Sequence, residues 1–217
     1  MIINHDNPKY RERWNAAKDN KYNGAFYYSK EICKNIIPLI DTDRNWITIN
    51  QKGEGCDYAI VFIHNNLHPD HYDWLQEYTD LILVCGVRET CKKVKHLGKT
   101  IYLPLSVDVD YVKQFKTEKT KDTAYVGRKA KMKHGKLPSE VDFLYGMKRQ
   151  DLLPEMAKYK KVYAVGRCAI EAKILGCKVL PFDERYPNPN KWKILDNREA
   201  AKILQEKLDK IDKKGEK

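Results

Sequence analysis

The sequence predicts an α/β fold built as two Rossmann-like halves facing a cleft. Three observations lead there. Its strand-length apolar runs are mostly continuous instead of alternating, the pattern of parallel strands covered on both faces. Segments of helical periodicity separate those runs. A polar, lysine-rich stretch, YLPLSVDVDYVKQFKTEKTKD (102–122), divides the runs into two groups of four.

In chain order the strands are expected at WITIN (46–50), YAIVFI (58–63), LILVC (81–85) and TIYLP (100–104), then at TAYVG (123–127), VDFLY (141–145), KVYAV (161–165) and KVLPF (178–182), with MIIN (1–4) as a further candidate. Gly24–Ile40 carries Phe26, Ile32, Ile36 and Ile37 at roughly helical spacing. HPDHYDWLQEY offers Pro69 at a first helical position and Asp70 in the first turn, where the helix dipole favours an acid. RQDLLPEMAKY sets Leu152, Leu153 and Met156 on one face. The last helix opens on Asp196 and Glu199, close to a capping box, and carries Ala200, Leu204, Leu208 and Ile211 on one stripe. The expected domains are therefore 1–105 and 106–217.

Hydrophobic content of 42% and aromatic content of 11% exclude general disorder. No run approaches the roughly 18 apolar residues of a membrane span, and the N-terminus lacks a signal-peptide pattern. A cytoplasmic protein without membrane insertion is expected. Its six cysteines form no CxxC pair, so reduced structural thiols are expected and a zinc site is not. The net charge of +11 lies in the second half: residues 1–115 hold 15 basic and 15 acidic side chains, residues 116–217 hold 26 and 15. Such a half attracts phosphate, whether in nucleotides, nucleic acid or lipid headgroups, although the tail KLDKIDKKGEK reads as a solvated surface.

Two stretches carry candidate chemistry. In TAYVGRKAKMKHG a strand ends at Gly127, with Arg128 next and Lys133 five residues later. Glycine at a strand's carboxyl end lets a ligand approach the backbone, and basic side chains beside it can neutralise a diphosphate. A solvated basic loop is the plain alternative. In GRCAIEAKILGCKVLPFD (166–183), Gly166 closes one apolar run, a short helix follows, and Gly176 ends it before the next run. The oddity is Glu171, an acid among Ala169, Ile170, Ala172 and Ile174. A carboxylate is acceptor-only and can take two vicinal hydroxyls at once; the alternative is an early helical Glu stabilised by the dipole.

In these stretches the sequence resembles the donor-binding domain of GT-B glycosyltransferases. Arg128 and Lys133 keep that family's G-R-x-x-x-x-K spacing, VDFLYG with RQDLLPEM is similar to its next strand and acidic-leucine helix, and YAVGRCAIEAKILGCKVL aligns Gly166, Glu171, Ala172, Gly176 and Val179 with its glutamate-glycine motif. The similarity covers roughly residues 80–212. It implies a compact GT-B-like fold, a nucleoside-diphosphate-sugar donor (a UDP-sugar is expected) as co-substrate, Glu171 on the donor ribose, and Gly127, Arg128, Lys133 and Gly166 around the diphosphate. It implies no other cofactor. Two departures stand out. Tyr163 occupies the place of the family's first glutamate, which favours inversion, and only GKLPSE lies between the basic loop and VDFLYG, where the family has a further strand and helix.

The first half should then supply the acceptor side and the catalytic base. His64 ends the YAIVFI strand, and a near-neutral imidazole can take a proton from an acceptor hydroxyl. Asp70 and Asp6 are the other candidate bases. His64, His68 and His71 as a metal site, or as surface histidines, are the alternatives, and Arg88 is a candidate phosphate contact. No D-x-D pair suits a metal-dependent reaction, so catalysis is expected to be metal-independent. Two further classes compete with a glycosyltransferase: a non-catalytic nucleotide-binding protein on a reduced GT-B scaffold, and a nucleic-acid-binding protein, which the basic half and 14 tyrosines suggest without any recognised DNA- or RNA-binding signature. Among acceptors, a hydroxymethylated base in DNA is favoured over envelope glycolipids or proteins, because surplus lysines can hold phosphates.

Overall fold

The computed structural model describes residues 32–42, 45–48, 58–63, 75, 78–127, 137–184 and 188–215. The chain divides into two compact units. The first takes its described residues from 32–105 and 198–215, the second from 106–197.

The first unit holds a four-stranded parallel sheet of β1 (Asn45–Thr48), β2 (Tyr58–Ile63), β3 (Asp80–Cys85) and β4 (Lys99–Tyr102), in the spatial order β1-β2-β3-β4. On one face Ala59, Val61, Ile63, Leu81, Leu83 and Cys85 pack with Leu75, Tyr78 and Val94. The alternate residues Ile60, Phe62, Ile82 and Val84 are buried as well. Burial on both faces is why these runs are continuous in the sequence. Helix α1 (Arg88–Val94) connects β3 to β4. Within Gly24–Ile40 the described part is a π-helical turn, Ile32–Ile36, running into a 3₁₀ turn, Ile37–Leu39. Pro38 has no N–H to offer a continuing α-helix, which accounts for the stop.

The second unit holds α2 (Val109–Lys113), capped by Asp108, whose side chain accepts from the Tyr111 N–H at 2.9 Å. Its parallel sheet comprises β5 (Lys121–Val126), β6 (Asp142–Leu144), β7 (Tyr159–Tyr163) and β8 (Lys178–Leu180). Helix α3 (Arg149–Ala157) joins β6 to β7, and α4 (Arg167–Ile174) joins β7 to β8. The expected face of α3, Leu152, Leu153 and Met156, is buried. Complete burial of such side chains contributes about 1.5–3 kcal/mol each. The spatial order is β6-β5-β7-β8.

The last helix, α5 (Asn197–Gly215), differs from the sequence expectation. Residues 198–217 were expected with the second half, but from Arg198 onward the helix belongs to the first unit. Its stripe of Ala200, Leu204 and Leu208 is buried there. Lys207 Nζ donates to the Tyr102 carbonyl at 2.5 Å. Gln205 and the Asp41 backbone exchange bonds of 2.8 and 3.0 Å. Among the described residues no helix is long and apolar enough to cross a membrane. MIIN and HPDHYDWLQEY lie outside the described residues, apart from Leu75 and Tyr78.

Candidate functional site

The strand order of the second unit fixes where a ligand can be held. From β5 the chain goes outward to β6, then returns past β5 to β7 and β8. The reversal lies between β5 and β7, and open parallel sheets hold ligands outside the carboxyl ends of their strands at such a point. Tyr125 of β5 stands beside Tyr163 of β7. Gly127 and Gly166, two and three residues further on, therefore leave the sheet from adjacent strands at that edge. In the first unit the order β1-β2-β3-β4 shows no reversal among the described strands.

Each glycine has a local reason. Gly166 precedes α4 with φ +63° and ψ −136°, a backbone conformation that strains any residue bearing a Cβ. No side chain caps the N-terminus of α4. At Gly127 the constraint is space, because a Cβ would lie 2.7 Å from the Tyr125 hydroxyl. That ring is buried, edge-on to Phe182 at 5.2 Å. Tyr163, half-buried, packs against the same cluster.

Glu171 is completely buried on α4, and its carboxylate is engaged inside the protein. Arg149 reaches its Oε1 through Nε at 3.0 Å and through a terminal nitrogen at 2.9 Å. A terminal nitrogen of Arg167, one turn earlier on α4, stands 3.6 Å from the same oxygen. Oε2 accepts no hydrogen bond among the described residues. Arg149 also lies over the Tyr111 ring, 5.1 Å from its centre. The dipole alternative placed Glu171 in the first turn. It is instead the fifth residue of α4, and its stabilisation comes from two arginines.

Neither arginine was singled out in the sequence, although both left a signal. Arg149 and Arg167 are the first residues of α3 and α4, positions whose positive end favours acids. The opposite ends of these helices follow the usual electrostatics. Lys119 Nζ donates to the Ala157 carbonyl at the end of α3 (2.6 Å) and to the Leu175 carbonyl at the end of α4 (2.8 Å). It also lies 3.3 Å from the Cys177 thiol, which burial pushes up in pKa despite the ammonium beside it.

Of the expected site residues, Gly127, Gly166 and Glu171 thus fall in one unit, the glycines at the switch point and Glu171 on the helix that starts there. Arg128, Lys133, His64 and Asp70, with Asp6, His68 and His71, lie outside the described residues. Arg88 opens α1 in the first unit, exposed and stacked over Tyr102 at 4.5 Å. The sequence D-V-D at 108–110 is divided in role: Asp108 caps α2, and Asp110 is exposed. Among the described residues no group of three His, Cys, Asp or Glu side chains could hold a metal. Comparison with family models, curated proteins and solved structures finds no match.

Proposed function

We propose that the chain is a compact glycosyltransferase of the GT-B kind, whose second unit binds a nucleoside-diphosphate sugar. The observation that supports this best is the reversal in β6-β5-β7-β8, with Gly127 and Gly166 at the carboxyl edge where nucleotide phosphates are held in open parallel sheets. In this proposal the two units are the acceptor and donor halves of a reduced GT-B enzyme. The donor's diphosphate sits beside Gly127 and the start of α4, and its leaving charge is stabilised by Arg128 and Lys133 without a metal. His64 takes the proton of the acceptor hydroxyl, with Asp70 as the alternative base. The acceptor oxygen bonds to the sugar's anomeric carbon as the bond from that carbon to the diphosphate breaks. The favoured acceptor is a hydroxymethylated base in DNA, whose phosphates the lysine-rich second half would hold.

A second reading, a nucleotide-binding protein without turnover, is favoured by one observation. Tyr163 stands where the resemblance has an acid, and its half-buried side chain packs against the core. Two measurements separate them. Thermal shift with UDP-, GDP-, ADP- and dTDP-sugars identifies the donor base by the ligand that raises the melting temperature. Nucleoside diphosphate released from that donor then reports turnover. His64→Ala should cut turnover about 10²–10⁴-fold while leaving nucleotide binding intact. Binding without release in the unaltered protein selects the second reading.

A further inference from the structure

Two buried guanidinium groups at the start of α3 and α4 require an explanation that packing does not give. A cation at the positive end of a helix is disfavoured, and burial adds a desolvation cost. Here both costs fall on Arg149 and Arg167 together, whose side chains are only 10% and 2% exposed. They meet at a single carboxylate oxygen, Glu171 Oε1. Arginines are the side chains best matched to the planar, multidentate recognition of oxyanions. The two helices that carry them leave the sheet on strands flanking β5, next to the switch point, and neither N-terminus has a side-chain cap.

We propose that Glu171 is a place-holding counter-ion, and that an oxyanion ligand of the phosphate or diphosphate class takes Arg149 and Arg167 over from it. The glutamate's single negative charge offsets part of the pair's combined positive charge while the site is empty. Arg149, the more exposed of the pair and stacked on Tyr111, is the member a ligand meets first. On binding, the ligand's oxygens replace Oε1 as acceptor, and the released carboxylate, with Oε2 already unengaged among the described residues, turns to hydroxyl groups on the same ligand. The diphosphate identity rests on the proposed nucleotide reading, but the test does not need a nucleotide.

The probe is inorganic pyrophosphate, titrated calorimetrically into the full chain at fixed ionic strength. Glu171→Gln preserves shape and removes the competing charge, so it should bind pyrophosphate about tenfold more tightly than the unaltered protein, the scale of one hydrogen bond to a charged group. Arg149→Gln should bind it about tenfold or more weakly. A folded Glu171→Gln protein whose affinity is unchanged or lower overturns the proposal. So does an Arg149→Gln protein with unchanged affinity, and that variant decides the matter if Glu171→Gln fails to fold. If pyrophosphate behaves as expected while no nucleotide sugar binds, the oxyanion site stands and the glycosyltransferase reading falls.

Discussion

Replacing Glu171 by alanine should destabilise the protein far more than loss of a ligand contact would. The substitution removes the acceptor for Arg149 at 2.9 and 3.0 Å and the partner of Arg167 at 3.6 Å. Arg149 and Arg167 are 8% and 4% exposed, so water replaces little of the lost carboxylate around their charges. Removing one partner of a buried ion pair typically costs about 3–5 kcal/mol. A chain of this size loses about 2–4 °C of melting temperature per kcal/mol, so a fall of roughly 6 °C or more is expected. Calorimetric melting of the two proteins at pH 7 and equal concentration measures it. Glu171→Gln, which keeps an acceptor oxygen, should lose less. A Glu171→Ala protein melting within about 2 °C of the parent would refute the buried-pair argument, because a solvent-facing carboxylate behaves that way.

Three other outcomes are expected. Gly176 sits at φ +81° and closes α4 with the paired bonds Cys177 N–H to Ala172 O (2.9 Å) and Gly176 N–H to Lys173 O (3.0 Å), so Gly176→Ala should cost about 1–2 kcal/mol in denaturant unfolding. Hydrogen bonds from Lys121 and Lys158, each at 2.6 Å, hold the Glu155 carboxyl below its ordinary pKa. A lowered folded-state value stabilises above the unfolded pKa and is lost as pH falls through the folded one, so the stability gap between parent and Glu155→Gln should be full at pH 7 and close in acid; a gap independent of pH refutes the pairing. Cys85 and Cys177 are buried with thiols pushed up in pKa, and Cys91 is half-buried, so peptide mapping after brief alkylation of the native protein should find Cys91 modified well before the other two.

Much of the fold was legible because strand burial writes itself into the sequence. Each of the eight runs from WITIN to KVLPF overlaps an observed strand; β2 and β3, buried on both faces, are apolar nearly throughout, whereas β5 and β7 carry exposed polar residues and show their apolar character in only part of their length. The ownership of the last helix was not legible. An amphipathic stripe such as Ala200, Leu204 and Leu208 shows that an apolar partner exists without saying which sheet provides it. Gly166 and Gly176 announced themselves because their backbone angles exclude other residues. Glu171 was conspicuous as an acid in an apolar helix, but its partner Arg149 is 22 residues away, a separation at which no local pattern couples two side chains. Lys119 was hidden for the same reason, since the carbonyls it binds belong to residues 157 and 175.

We propose that the second unit binds a nucleoside-diphosphate sugar and that the protein transfers the sugar. The most direct measurement is release of nucleoside diphosphate from the donor base that thermal shift selects, with and without DNA containing hydroxymethylated cytosine. One nucleotide sugar should raise the melting temperature, and nucleoside diphosphate should accumulate faster when the DNA is present, with the sugar recovered on the modified base. No melting shift with any of the UDP-, GDP-, ADP- or dTDP-sugars, and no diphosphate released, would contradict it.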